Sequence, residues 1–476
     1  MTARGHFALV NAVILGLALG LSITSCGGGS GAGGGGGGSA PPPPPNTANE
    51  WAWMGGSSKV NAAGVYGVQG VPAAANVPGA RSSAVSWTDS SGNFWLFGGN
   101  GLASGGTQGL LNDLWEFSAS TKQWTWMSGG SAINPTGVYG SLAVPAASNV
   151  PPGLAGAVSW IDGGGNLWLF GGDGYASDGH QGLLNDLWEF DPAIKEWTWM
   201  SGSSKENPAG VYGSEGVPAA ANVPGGRDLA VSWIDSSGNL WFLGGFGVDE
   251  AMAQGLLNDL WEFSPATKEW AWMGGSYLVG GQSIYGTMGV PAEANRPGGR
   301  SEAVGWTDSG GNFWLFGGDG FADYANGAQG LLNDLWEFSP STKEWAWISG
   351  SSAEGAAGSY GTLGVANAAN LPPGLAGAVG WIDGDRNLWL LGGGVNALWE
   401  FNPSIKEWTW MGGSSTANAA GVYGVLGTPA AASVPGARSS AVGWIDDSGN
   451  LWLFGGLGDD SSGTGGSLND LWRYEP

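Results

Sequence analysis

Apolar and polar positions in residues 157–200 fall into four short runs, at 157–160, 167–170, 186–190 and 197–200. Each run is rich in Val, Leu, Trp and Phe and is bounded by Gly, Asn, Asp or Pro, which predicts four β-strands joined by tight turns. In the second run Leu167 and Leu169 point one way, and Trp168 and Phe170 point the other, by the two-residue strand period. Both faces of that strand are apolar, so the sheet needs cover on both sides.

The same pattern recurs along the chain. Gly-Gly pairs begin at Gly98, Gly171, Gly244, Gly317, Gly392 and Gly455, and "GLLNDLWEF" is written identically at 109–117, 182–190, 255–263 and 330–338. Shorter copies stand at 396–401 and 467–476, and the fifth unit is short because its loop after the glycines is cut to Gly394-Val395. A period of this kind signals a repeat architecture. Residues 50–54 read as a fourth strand with no third before it, and residues 471–474 as a third strand with no fourth after it. Pairing the two ends predicts an all-β, six-bladed β-propeller in which the N-terminal strand completes the last blade. The 30 tryptophans then divide into five positions in each of six units.

The double glycine after strand two, the "LWEF" aromatic pair in strand three and the tryptophan opening strand four resemble the kelch-repeat family over about residues 50–476. The resemblance implies a kelch-type propeller, and it leaves function open because one fold hosts many activities. The chain departs from the family in period. Kelch repeats run to about 50 residues, whereas the first intervals here are 73, with the excess between strand four and the next strand one.

Composition narrows the chemistry. Glycine numbers 93, but the abundant aromatics fit a turn-rich β protein better than a disordered chain. A net charge of −24 disfavours nucleic acid and anionic lipid surfaces. Cys26 is the one cysteine, so disulfides within the chain are excluded; of the two histidines, His6 lies in a segment expected to be removed, and His180 alone cannot build a multi-histidine metal site. The copper site of galactose oxidase-type members of the family needs several histidines and a cysteine crosslinked to tyrosine, and residues 50–476 have one histidine and no cysteine. No cofactor and no metal are expected.

Residues 1–25 carry Arg4 and then an apolar run, which resembles a secretory signal. Ile23-Thr24-Ser25-Cys26 resembles a bacterial lipobox and implies a lipid on Cys26. Residues 26–49 are a Gly/Ser/Pro-rich tether that would hold residues 50–476 about 30–40 Å from a membrane. The expected location is the bacterial cell envelope, at the outer membrane or cell surface, with membrane contact only through the lipid. The propeller is expected to be a monomer.

If strand one runs upward, the 1–2 and 3–4 turns lie at the top, and the 2–3 loops and long connections lie at the bottom. Function concentrates on variable loops, so the bottom is the expected working face. Arg81, Arg227, Arg300 and Arg438 each precede strand one, with Leu154 and Leu375 in their place in units two and five. They are the candidate ligand-binding residues, suited to a carboxylate or an acidic partner. The alternative is a structural pair with the strand-three glutamate, Glu116 in unit one.

Three further groups read as architecture more readily than as sites. Tyr66, Tyr139, Tyr212, Tyr285, Tyr360 and Tyr423 offer ring faces to sugars, but sixfold repetition fits packing. The acidic loops around Asp173, Asp178, Asp249, Asp319 and Asp459 lack the alternation of a calcium loop. The turn at 89–93 needs its Asp, Gly and Asn for backbone reasons, and His180 reads as an exposed loop histidine. The expected function is non-catalytic binding of a protein or carbohydrate. The alternative is a sugar-modifying enzyme such as a sialic acid epimerase or mutarotase.

Overall fold

The computed structural model describes residues 48–323 and 328–476. The proposed leader, Cys26 and nearly all of the tether lie outside them. Among the described residues every regular element is a β-strand. The strands form antiparallel sheets built on four-strand units, an arrangement consistent with a β-propeller.

The second unit shows the pattern. Val158–Ile161, Leu167–Tyr175, Gln181–Asp191 and Glu196–Ser201 pair in that order, and a short strand Leu154–Ala155 joins the end of the second. The middle strands are longer than the sequence pattern predicts. Gly171-Gly172 does not stop the second strand; the register shifts between Phe170 and Gly172, and pairing resumes through Tyr175. The glycines make this possible. Gly171 has φ +67°, and a Cβ there would stand 2.7 Å from the carbonyl oxygen of Arg227 in the next unit. The fifth unit has no such extension, since Leu388–Gly392 and Leu398–Asn402 leave no room for one.

Apolar cover comes from neighbouring sheets. Six clusters each join two units, and one of them packs Phe94, Trp115 and Trp124 of unit one against Trp444, Trp452 and Phe454 of unit six. The indole of the inner strand crosses five of the gaps, while Trp306 Nε1 in unit four has no partner. Trp87, Trp160, Trp233 and Trp381 donate Nε1–H to the carbonyls of Trp168, Trp241, Trp314 and Trp452, and Trp444 donates to Trp95, at 3.0–3.3 Å. Burying large aromatics on both faces supplies the main favourable term.

The two ends of the chain meet as expected. Glu50–Gly55 pairs antiparallel with Gly465–Glu475, placing Trp53 opposite Trp472. The long connections do not hang below the sheets as expected. They run along the outer strands: Gly70 and Ala73 donate N–H to the carbonyls of Trp126 and Trp124, and Asn76 Nδ2 also reaches Trp124. Gly427 and Ala430 do the same for Trp53 and Trp51. The residues that lengthen the repeat therefore cover sheet edges that would otherwise template aggregation.

Deleting residues 50–54 should strip the edge of Gly465–Glu475, lower the melting temperature and promote aggregation. Trp51→Ala alone should cost about 3–5 kcal/mol by large-to-small core precedent. Denaturant titration with light scattering measures both, and unchanged stability and solubility would show that the N-terminal strand is dispensable.

Candidate functional site

The four arginines are not at a ligand-accessible surface. Arg81, Arg227, Arg300 and Arg438 are at most 1% exposed. Arg81 Nη1 and Nη2 donate to the two carboxylate oxygens of Asp113 at 2.7 and 2.8 Å, Nη1 also reaches the Gly98 carbonyl, and Nε the Gly79 carbonyl. The same fork holds Arg227 to Asp259, Arg300 to Asp334 and Arg438 to Asp470. Burial opposes each guanidinium charge, and the aspartate more than offsets it, so the arginines titrate above their ordinary range. The reading of these residues as ligand contacts gives way to an internal brace, because their donors are already engaged out of solvent. The alternative partner was also misplaced. The aspartate of "NDLW" takes the arginine, while the strand-three glutamate faces the top turn, as Glu189 does in accepting from Asn166 Nδ2.

The tyrosines complete the brace. Tyr66, Tyr212, Tyr285 and Tyr423 donate their hydroxyls to the same aspartates, at 2.6–2.9 Å. Burial is the main cause that raises their pKa values. This is packing, as sixfold repetition suggested.

Units two and five show what the brace requires. Unit five has Leu375 for the arginine and Ala397 for the aspartate, so both charges are gone together. Unit two has Leu154 but keeps Asp186, fully buried, with Tyr139 and Trp188 donating to Oδ2 and no partner on Oδ1. Burial pushes the Asp186 carboxyl up to about 6.

Two predictions follow from the sign of these energies. Arg227→Leu should cost about 3–5 kcal/mol, because it strands Asp259 as a buried charge. Adding Asp259→Ala, as in unit five, should recover part of that loss; a double variant no better than the single would refute the brace. For Asp186 the folded pKa lies above the unfolded one. Its proton favours the folded state below about pH 4, and that contribution is lost as pH rises through about 6, a swing of about 3 kcal/mol. Asp186→Asn should therefore gain stability over wild type between pH 4 and 6 and hold the gain above; parallel pH–stability curves would contradict this.

One belt of main-chain hydrogen bonds links the inner ends of the units. Ser83, Gly156, Leu229, Glu302, Gly377 and Ser440, one per unit, each donate N–H to the carbonyl of the preceding one, and Ser83 donates to Ser440. This cyclic chain of hydrogen bonds measures 2.6–2.9 Å, and all six residues have positive φ, from +52° to +67°. Leu229 and Glu302 hold a conformation that costs non-glycine residues about 1–2 kcal/mol. The inner strands line an open space with two overlapping parts of about 440 and 340 Å³, which share Thr88, Ser232, Trp233, Gly443 and Trp444. Ser86, Ser159 and Ser232 line one part of the wall, and Gly305, Gly380 and Gly443 another.

The lower mouth is acidic. Asp228 is largely buried, with no partner on Oδ1, and burial together with the charges of Asp173 and Glu302 raises its pKa well above the ordinary range. Glu302 is raised by burial and by Asp319, and it accepts a long bond from Ser440 Oγ across the belt. Asp173 and Asp319 each accept from a glutamine, Gln181 and Gln329. Phe246, paired in register with Asp228, is 37% exposed beside them. Sequence reasoning named Asp173 and Asp319 only as loop acids and missed Asp228 and Glu302. The signal was there in the column after the arginine, which reads Ser-Ser, Ala-Gly, Asp-Leu, Ser-Glu, Ala-Gly and Ser-Ser.

The remaining acids divide. Asp89 and its counterparts cap their hairpins: Oδ1 accepts from Ser91 and Asn93 N–H, and Oδ2 from Trp95 Nε1. Asp249 and Asp460 likewise cap their own loops. Asp178 instead faces His180 at 3.3 Å and Lys205 at 2.6 Å, and the lysine lowers its pKa to about 2. No family model matches the chain, and no curated protein matches it either.

Proposed function

We propose that the chain is a six-bladed, kelch-type β-propeller tethered to the cell envelope through Cys26, and that it is a non-catalytic binding module whose ligand enters the lower axial mouth. One observation carries this reading. Side chains in register at the mouth differ from unit to unit, Ser82 with Asn100, Ala155 with Asp173, Asp228 with Phe246, Ser301 with Asp319 and Ser439 with Leu457, while the framework around them repeats. The belt and the six clusters support the blade count.

The chemistry of the mouth favours a neutral glycan. Carboxylates accept hydrogen bonds from pairs of sugar hydroxyls, and the exposed Phe246 ring offers a face to sugar C–H groups. An anionic ligand is the wrong charge for Asp173, Asp228, Glu302 and Asp319. That argues against a sialic acid as the substrate of the alternative enzyme, since Arg81, Arg227, Arg300 and Arg438, which precede the inner strands, are buried with their forks engaged by aspartates. The raised carboxyls of Asp228 and Glu302 do favour one form of that second reading, acid/base chemistry on a neutral sugar.

A glycan array probed with the full chain, followed by titration, separates these readings. Phe246→Ala and Glu302→Gln should each weaken binding about tenfold while leaving the fold intact. Turnover of a bound sugar that is lost in Asp228→Asn would favour the enzyme. Capture of a lysine-rich protein with no glycan would make the ligand a protein, and binding indifferent to all three changes would remove the mouth from consideration.

A further inference from the structure

The loop between the second and third strands of unit two carries side chains that the fold does not need. Its backbone closes with Ala176 N–H to His180 O and Gly179 N–H to Ala176 O. Units one, three and six make the same two bonds, between Ala103, Gly106 and Thr107, between Asp249, Met252 and Ala253, and between Asp460, Gly463 and Thr464. Where unit two has Asp178 and His180, those units have Gly105 and Thr107, Ala251 and Ala253, and Ser462 and Thr464. Where it has Glu206, they have Ile133, Val279 and Val60, although unit four also has a glutamate, Glu354.

The three side chains converge. One ligand atom from each of Asp178, His180 and Glu206 lies within 4.8 Å of the other two. His180 Nδ1 is 3.3 Å from Asp178 Oδ1, which is about the separation of two donors each about 2.0–2.1 Å from a tetrahedral zinc ion. Glu206 is partly buried and its Oε2 has no hydrogen-bond partner, as is true of Glu354 Oε2 in unit four; what unit two adds is His180 and Asp178 within reach of that carboxylate. An unpartnered carboxylate oxygen beside an imidazole is costly without a cation. Lys205 holds Oδ2 of Asp178, and Oδ1 accepts a long bond of 3.3 Å from the His180 backbone N–H, which leaves Oδ1 a second lone pair for an ion. The imidazole is 72% exposed, so the ion has an entry path and water can complete its shell.

We infer that Asp178, His180 and Glu206 form a binding site for a divalent transition-metal ion of the zinc class. One imidazole nitrogen with two carboxylates suits zinc, nickel or copper(II) better than calcium or magnesium, which take all-oxygen shells. Lys205 tempers the affinity by its positive charge and secures the rotamer of Asp178. The site is separate from the axial mouth, and it stands or falls without the glycan reading.

Calorimetric titration of the full chain with zinc chloride tests it, with calcium chloride as the contrast. One equivalent of zinc should bind. His180→Ala and Glu206→Gln should each weaken it about tenfold or more, and Lys205→Ala should tighten it. Because all three residues sit at an exposed loop or its edge, the metal-free variants should melt with the wild type, which separates ligand loss from misfolding. The inference is overturned if zinc does not bind, if His180→Ala binds it as tightly as wild type, or if calcium binds with equal affinity and ignores His180→Ala.

Discussion

Each sheet in this protein has two apolar faces, and no sheet can bury both by itself. Trp168 and Phe170 look toward unit three, while Leu167 and Leu169 look toward unit one. A row of such sheets would always leave one open face at each end. Packing unit six against unit one covers both of those faces, and the cluster between them is built from the same residue types as the other five. Close approach is the condition for this. The first glycine of each pair admits a carbonyl of the next unit, Leu154 O at Gly98 and Arg81 O at Gly455, where any side chain would force the sheets apart.

Closing the faces leaves the strand edges, and these are handled by different means. Inner strands meet at the belt of positive-φ residues. Outer strands are covered by the connections, whose N–H groups find the outward carbonyls. Both devices use main-chain hydrogen bonds, so they tolerate side-chain change. That is why the same belt accommodates glycine, serine, leucine and glutamate.

This tolerance separates framework from function. The Arg–Asp–Tyr brace is internal, and its charges come and go together in unit five because a lone buried charge is costly. Asp186 is the exception: it is buried with no arginine beside it, and burial raises its carboxyl. At the mouth and in the loop of His180, substitution is free of the fold, and there the chain places acids that repeat nowhere in the same combination.

What the sequence determined by itself was local. The two-residue period marked strands and faces, Asp, Gly and Asn marked the hairpins, and the unmatched third and fourth strands foretold the pairing of Glu50–Gly55 with Gly465–Glu475. Adjacency between distant segments was decided by tertiary structure alone. The arginines looked like mouth residues because they precede inner strands; only the packed unit shows that Asp113 and its counterparts, 32 or 34 residues on, take the guanidinium forks. The glycine pair looked like a strand end because glycine weakens strands, yet contact with the next unit turns it into a bulge. Asp228 and Glu302 come from different units, and Glu206 reaches the His180 loop from a separate connection. Periodicity encodes which way a side chain faces along its own strand, but which groups then share a site depends on the packing that brings separate units together.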